Sequence, residues 1–250
     1  MLLFSNYNVY ETIKVAILLY KMSYEVEDKK SQHADDNVTQ YCYLPMWVQR
    51  KMRPSWPYMR ICQTNSDGDC LFHSVKIILD SVGIHKTIKD LRHICAYPVK
   101  NPEDNTTNLT IQTWLEIFQG AYKEKDFLVM HDYQHMADLK DAKWPLTTED
   151  REKLYLAMQK KTFWGEQHCI RVIEEQTQMR FVIFQHETQK PSFMWHHSKN
   201  YQQTSFCFLF LSGAHYNPIS IHGRYVFEWE KIPYDVQEFL STGYTQPTSQ

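Results

Sequence analysis

A chain of 250 residues, 43% hydrophobic and 22% charged, has enough apolar material to bury one sizeable core with extensions to spare. A formal net charge of −2 excludes a general polyanion binder, because affinity for a phosphate backbone needs a basic surface. The six cysteines (Cys42, Cys62, Cys70, Cys95, Cys169 and Cys207) include no CxxC pair, which argues against disulfide staples and for reduced thiols in a cytosol-like compartment.

In chain order, the first apolar run of note is residues 15–20, far short of the roughly 20 residues a membrane-spanning helix needs, so no membrane anchor is expected. Tyr10, Ile13, Ile17 and Tyr20 fall on one side of an amphipathic helix, read as an arm packing on the main domain. Residues 23–40 are polar and charged and read as a linker. The expected organisation is therefore an arm and linker over 1–40, a folded domain over 41–235, and a flexible tail over 236–250. Without a secretory signal the sequons beginning at Asn37, Asn105 and Asn108 are idle, and a cytoplasmic location follows by exclusion. Arg50, Lys51, Arg53 and Arg60 interleave with Trp47, Trp56 and Tyr58. That pattern can stack on bases, but a segment packing beneath the following turn is its commoner meaning, so no nucleic acid partner is expected.

Leu71, Phe72, Val75, Ile78 and Leu79 keep helical spacing, with a stop near Gly83. Thr87 and Asp90 form a capping box for a helix carrying Ile88, Leu91, Ile94 and Cys95, with Pro98 just beyond its end. Trp114, Leu115, Phe118 and Tyr122 predict another helix, and residues 148–158 one more. Residues 179–184 and 205–211 are β-branched, aromatic and apolar throughout, so they predict strands in the middle of a sheet covered on both faces. Residues 219–221 and 225–229 are expected to add edge strands. Helices first and strands later predict an α+β fold, an α/β sandwich with its central sheet in the C-terminal half flanked by helices.

The chemistry concentrates in Asp67-Gly68-Asp69-Cys70-Leu71-Phe72-His73-Ser74, where a polar glycine-containing turn runs into an apolar helix with a cysteine at the joint. A helix N-terminus carries unpaired N–H groups and partial positive charge, which favour thiolate over thiol. The backbone N–H groups of Gly68, Asp69 and Cys70 are candidates for an oxyanion hole. Among twelve histidines, His215 has the best setting for a base: it follows an apolar strand and a Ser-Gly-Ala turn, which predicts a place at a sheet edge beside a cleft. Asn217 stands two residues on and can orient its ring. His73, one turn after Cys70, reads as a surface or packing residue. His168 with Cys169 reads as packing rather than zinc ligation, as do His196 and His197. His131 and His135 read as part of a solvated helix face.

These residues resemble the signature of the ovarian-tumour (OTU) cysteine proteases, papain-like enzymes. Asp67-Gly68-Asp69-Cys70 is similar to the Asp-Gly-x-Cys that opens the family's catalytic helix. Phe163-Trp164-Gly165-Glu166 is similar to its second block, His215-Tyr216-Asn217 to its third, and Leu91-Arg92 to its second helix. The resemblance implies a deubiquitinating isopeptidase that uses no cofactor or metal, acting as a monomer on ubiquitin or a ubiquitin-like modifier and its conjugates. It implies Cys70 as nucleophile, His215 as base and Asn217 as orienter. Asp67 shapes the oxyanion turn, and the third triad member is left open between Asn217 and Asp67. Trp164 and Gly165 are expected to serve the fold.

Overall fold

The computed structural model describes residues 41–100, 105–193 and 205–242. The expected arm and linker over 1–40, with His196 and His197, lie outside the described residues. The sheet contains β1 (Tyr41–Cys42), β2 (Met59–Cys62), β3 (Met179–Gln185), β4 (Lys190–Phe193), β5 (Ser205–Ser212), β6 (His215–Ile221) and β7 (Val226–Phe227). Its order is β1-β2-β6-β5-β3-β4, with β7 also pairing β5. It is mixed: β3 and β5 run parallel, and the other pairs are antiparallel.

The helices are α1 (Met46–Lys51), α2 (Cys70–Asp80), α3 (Ile88–Lys100), α4 (Asn105–Glu124), α5 (Phe127–Asp132), α6 (Thr148–Met158), α7 (Gln167–Thr177) and α8 (Tyr234–Thr242). Successive strand residues point to opposite faces, so β3 and β5 feed two cores at once. Phe181, Ile183, Cys207 and Leu209 pack with the buried faces of α2, α3, α4, α6 and α7. Val182, Phe184, Phe208 and Phe210 pack with Val48 of α1 and with Val236, Phe239 and Leu240 of α8. Burial on both faces is why these two strands read as unbroken apolar runs. The α+β class and the helix-flanked sheet are those expected.

Several details differ from the sequence reading. The sheet is not confined to the C-terminal half, since β1 and β2 come from the start of the domain. Residues 219–221 do not form an edge; they belong to β6, which lies between β2 and β5. β2 was hidden by its shortness and its interior Arg60, whose guanidinium reaches the Pro57 and Met59 carbonyls and lies 4.2 Å over the Tyr43 ring. Within the basic aromatic stretch, Trp47 packs against Phe239 on the face away from α2, while Arg50, Lys51, Arg53 and Tyr58 are exposed. Pro98 falls inside α3 rather than past it. The helix continues because Val99 is fully buried and its carbonyl accepts a bond from Arg151 Nη1 at 3.2 Å.

The tail predicted from residue 236 is also corrected, because α8 runs to Thr242 and buries Val236, Phe239 and Leu240. Those residues recur at i, i+3 and i+4, one stripe facing the sheet. Asp235 anchors the helix start by accepting the Ser55 N–H at 2.9 Å and the Ser55 hydroxyl at 2.5 Å. Among the described residues no helix is long and apolar enough to cross a membrane.

Candidate active site

Cys70 is the first residue of α2, and the turn before it is shaped by Gly68 at φ +84°. Only glycine adopts that conformation without strain, and a Cβ there would also run into the Lys161 carbonyl oxygen. Asp67 ties the turn from inside by accepting the Asp69 N–H at 3.1 Å. Its other oxygen lies 3.0 Å from Lys161 Nζ. Gly165 holds the helix from the other side: a Cβ on it would meet Leu71 Cδ2 at 2.5 Å. The Phe163-Trp164-Gly165 block thus packs directly against the start of α2.

His215 opens β6 immediately after the tight turn that joins it to β5, where Ser212 pairs with His215. It therefore stands at the end of an interior strand rather than at a sheet edge. The structure brings the cysteine to this point. Cys70 Sγ lies 3.6 Å from the Ala214 carbonyl oxygen and accepts the Tyr216 N–H at 3.5 Å, the two backbone groups that flank His215. The Ser74 hydroxyl seals α2 to β6, reaching the Cys70 carbonyl at 2.8 Å and the Tyr216 carbonyl at 3.0 Å.

Asn217 is buried, and its Oδ1 accepts the Thr64 N–H at 2.9 Å. The Thr64 hydroxyl donates to the Tyr216 carbonyl at 2.7 Å and lies 3.4 Å from His215 Nε2. Thr64 was missed by sequence reasoning, as was Ser74. Thr64 follows β2, and nothing in a lone threonine signals that its strand neighbours the one carrying the histidine. Asp67 is placed differently from Asn217. It sits over the turn with Lys161, and 3.7 Å from His73 Nε2.

Burial pushes the Cys70 thiol above its ordinary value, against the N–H groups of Tyr216, Leu71 and Cys70 itself, and the Asp67 charge pushes it further up. The expected lowering by the helix terminus is therefore outweighed by loss of water. Burial also pulls His215 below its usual value, opposed by hydrogen bonds that its ring can donate to the Thr64 backbone and the Asn217 side chain and by the Asp67 charge. Both shifts act against charge, holding the thiol and the imidazole toward their neutral forms. Although burial raises it, Asp67 ends below the usual carboxylate range because Lys161, the Asp69 N–H and His73 stabilise its charge.

Of the three expected oxyanion donors, Gly68, Asp69 and Cys70, the Asp69 N–H is already taken by Asp67 and the Cys70 N–H faces the sulfur, joined there by the N–H of Leu71. Asp67, Asp69 and His73 bring one ligand atom each within 4.8 Å of one another. Both carboxylates are already met by cations, Lys161 and Arg92, so this group is a charge network joining the turn to its neighbours. His168 and Cys169 are buried in the core, as the packing reading expects. His135 is buried as well, which corrects its placement on a solvated face.

A cysteine at the head of a helix, packed on the strand that begins with a histidine, defines an α+β protein with the elements of a thiol hydrolase. A family model described as OTU-like cysteine protease matches residues 65–216, more than half of the chain, and the chain belongs to that family. Among curated proteins none matches the sequence. Solved structures similar to it include an OTU domain in complex with ubiquitin, 13% identical, with a TM-score of 0.44, covering 74% of this chain and 82% of that one. An OTU deubiquitinase from Wolbachia pipientis wMel is 14% identical with a TM-score of 0.42, covering 74% and 98%. The viral OTU domain protease from Farallon virus is 11% identical with a TM-score of 0.36, over 74% and 98%.

Proposed function

We propose that this protein is a thiol-dependent isopeptidase that removes ubiquitin or a ubiquitin-like modifier from conjugated proteins. The observation that carries the reading is the seat of Cys70 Sγ on the two backbone groups flanking His215, at 3.6 and 3.5 Å. The choice of ubiquitin rests on family resemblance.

Burial disfavours the thiolate, so the proton moves as the reaction starts. The Cys70 sulfur attacks the carbonyl at the end of the modifier's tail while His215 takes the thiol proton. The oxyanion that forms is met by N–H groups at the start of α2. The C–N bond then breaks, His215 returns the proton to the leaving lysine amine, and a thioester remains. Water, deprotonated by His215, attacks the thioester and frees the modifier's carboxylate and the Cys70 thiol. Asn217 orients the ring, itself held by the Thr64 N–H. With Nε2 turned toward Thr64, Nδ1 is the nitrogen available to the thiol. Asp67, committed to Lys161 and the turn, is the weaker choice for the third member.

The test is intact-mass analysis after mixing the protein with ubiquitin bearing a C-terminal thiol-reactive electrophile. A single-ubiquitin adduct on the wild type and none on Cys70→Ala is expected. No adduct with ubiquitin or with the same probe built on ubiquitin-like modifiers would refute the isopeptidase reading and favour a binding-only module.

A further inference from the structure

Asp69 occupies the N-cap of α2, and an aspartate there ordinarily accepts hydrogen bonds from the N–H groups of the first turn. Its side chain makes no such bond. Oδ1 instead receives Arg92 Nε at 2.7 Å and lies 2.6 Å from Nη2, while Oδ2 lies 3.5 Å from Lys161 Nζ. Arg92 is held independently of Asp69. Its Nη1 donates to the Met158 and Phe163 carbonyls, each at 3.0 Å, its Nη2 donates to the Gly68 carbonyl at 3.2 Å, and its guanidinium stacks 4.5 Å over the Phe72 ring. Both side chains are 4% exposed. The guanidinium is thus fixed by α3, the end of α6 and the chain entering Trp164, and the carboxylate follows it.

We propose that Arg92 is a positioning residue that draws the Asp69 carboxylate off the N-terminus of α2 and so leaves the first-turn N–H groups free for the Cys70 sulfur and the oxyanion. The proposal deepens the reading of Cys70 as nucleophile and rests on it. An aspartate released to cap its own helix would consume the same donors and set a negative charge beside the developing thiolate. The pair need not add net stability to be useful, because a buried ion pair roughly breaks even against its desolvation. Its effect is geometric: it moves a charge away from the place where a second charge must form.

The experiment measures alkylation of Cys70 by iodoacetamide at pH 8, read on the Cys70 peptide by mass spectrometry, with melting curves recorded alongside. Arg92→Met is expected to slow alkylation about tenfold, the effect of a one-unit rise in thiol pKa. Arg92→Met combined with Asp69→Ala removes the freed carboxylate and is expected to return the rate to within about twofold of wild type. Arg92→Gln retains a donor for the carbonyls, serves if Arg92→Met does not fold, and is expected to show the same slowing. If the single variant melts lower yet alkylates at the wild-type rate, or if the double variant stays as slow as the single, Arg92 is only a strut and the proposal is overturned. Iodoacetamide reports on the thiol whatever the substrate, so a blank with ubiquitin probes would sink the functional reading and leave this pattern standing.

Discussion

Acid should unfold this protein partly through one histidine. His135 is 6% exposed, and among the described residues neither ring nitrogen has a hydrogen-bond partner. Aromatic rings enclose it: Phe163 at 4.8 Å, Trp114 at 5.3 Å and Tyr133 at 5.9 Å between centroids. Burial pulls its pKa down to about 3. In the unfolded chain the ring titrates near 6.5, so between those values the unfolded state binds the extra proton. The contribution of His135 to stability is therefore full above pH 6.5 and is lost as pH falls toward 3. At pH 5 the loss is about 2 kcal/mol. His135→Leu, close to it in volume, removes both the titration and the two orphaned nitrogens. Urea unfolding of wild type and variant at pH 7.5 and pH 5 isolates the effect. Buried carboxyls such as Glu174, whose pKa burial pushes up to about 8, act on both proteins and cancel. The wild type should lose about 2 kcal/mol more than the variant over that span. Equal losses would show that His135 is not held neutral, and the reasoning from burial would fail.

Because burial raises the Cys70 thiol, iodoacetamide alkylation of Cys70 should climb about tenfold per pH unit from 7 to 8.5 without a plateau. A plateau near neutrality would reveal a preformed thiolate and refute the upward shift by burial. Asn217→Ala should lower kcat/KM about ten- to a hundredfold and His215→Ala a thousandfold or more, since the first disturbs geometry and the second removes the base. A silent Asn217→Ala with a crippled Asp67→Asn would reverse the assignment of the third member. Gly165→Ala should cost about 1–3 kcal/mol in urea unfolding, because the new Cβ would lie 2.5 Å from Leu71 Cδ2 and 3.0 Å from its Cβ. Wild-type stability in that variant would mean the Trp164-Gly165 block does not brace α2.

The chemistry-bearing residues were legible because each sits at a local signal. Gly68 before an apolar-periodic run marks a turn entering a helix, and a strand followed by Ser-Gly-Ala marks the hairpin that delivers His215. α6 matches its predicted bounds because Thr147 and Asp150 close a capping box, a device written entirely in adjacent residues. The stripe of Val236, Phe239 and Leu240 was equally local, and the polar residues around it masked it. β2 was not legible: four residues with an arginine among them carry no period, and only pairing with β6 makes them a strand.

Readable from the amino-acid order alone are the α+β class, the helix-borne thiol, the histidine opening a strand and the family signature. All of these are encoded by short-range pattern, and short-range pattern survives in one dimension. The folded arrangement sets which backbone groups meet the sulfur, that Thr64 holds Asn217, and that Arg92 rather than helix α2 claims the Asp69 carboxylate. It also reversed the direction of the Cys70 shift. A helix terminus acts on its own first turn whatever surrounds it, but the loss of water around a sulfur depends on what the rest of the chain packs over it.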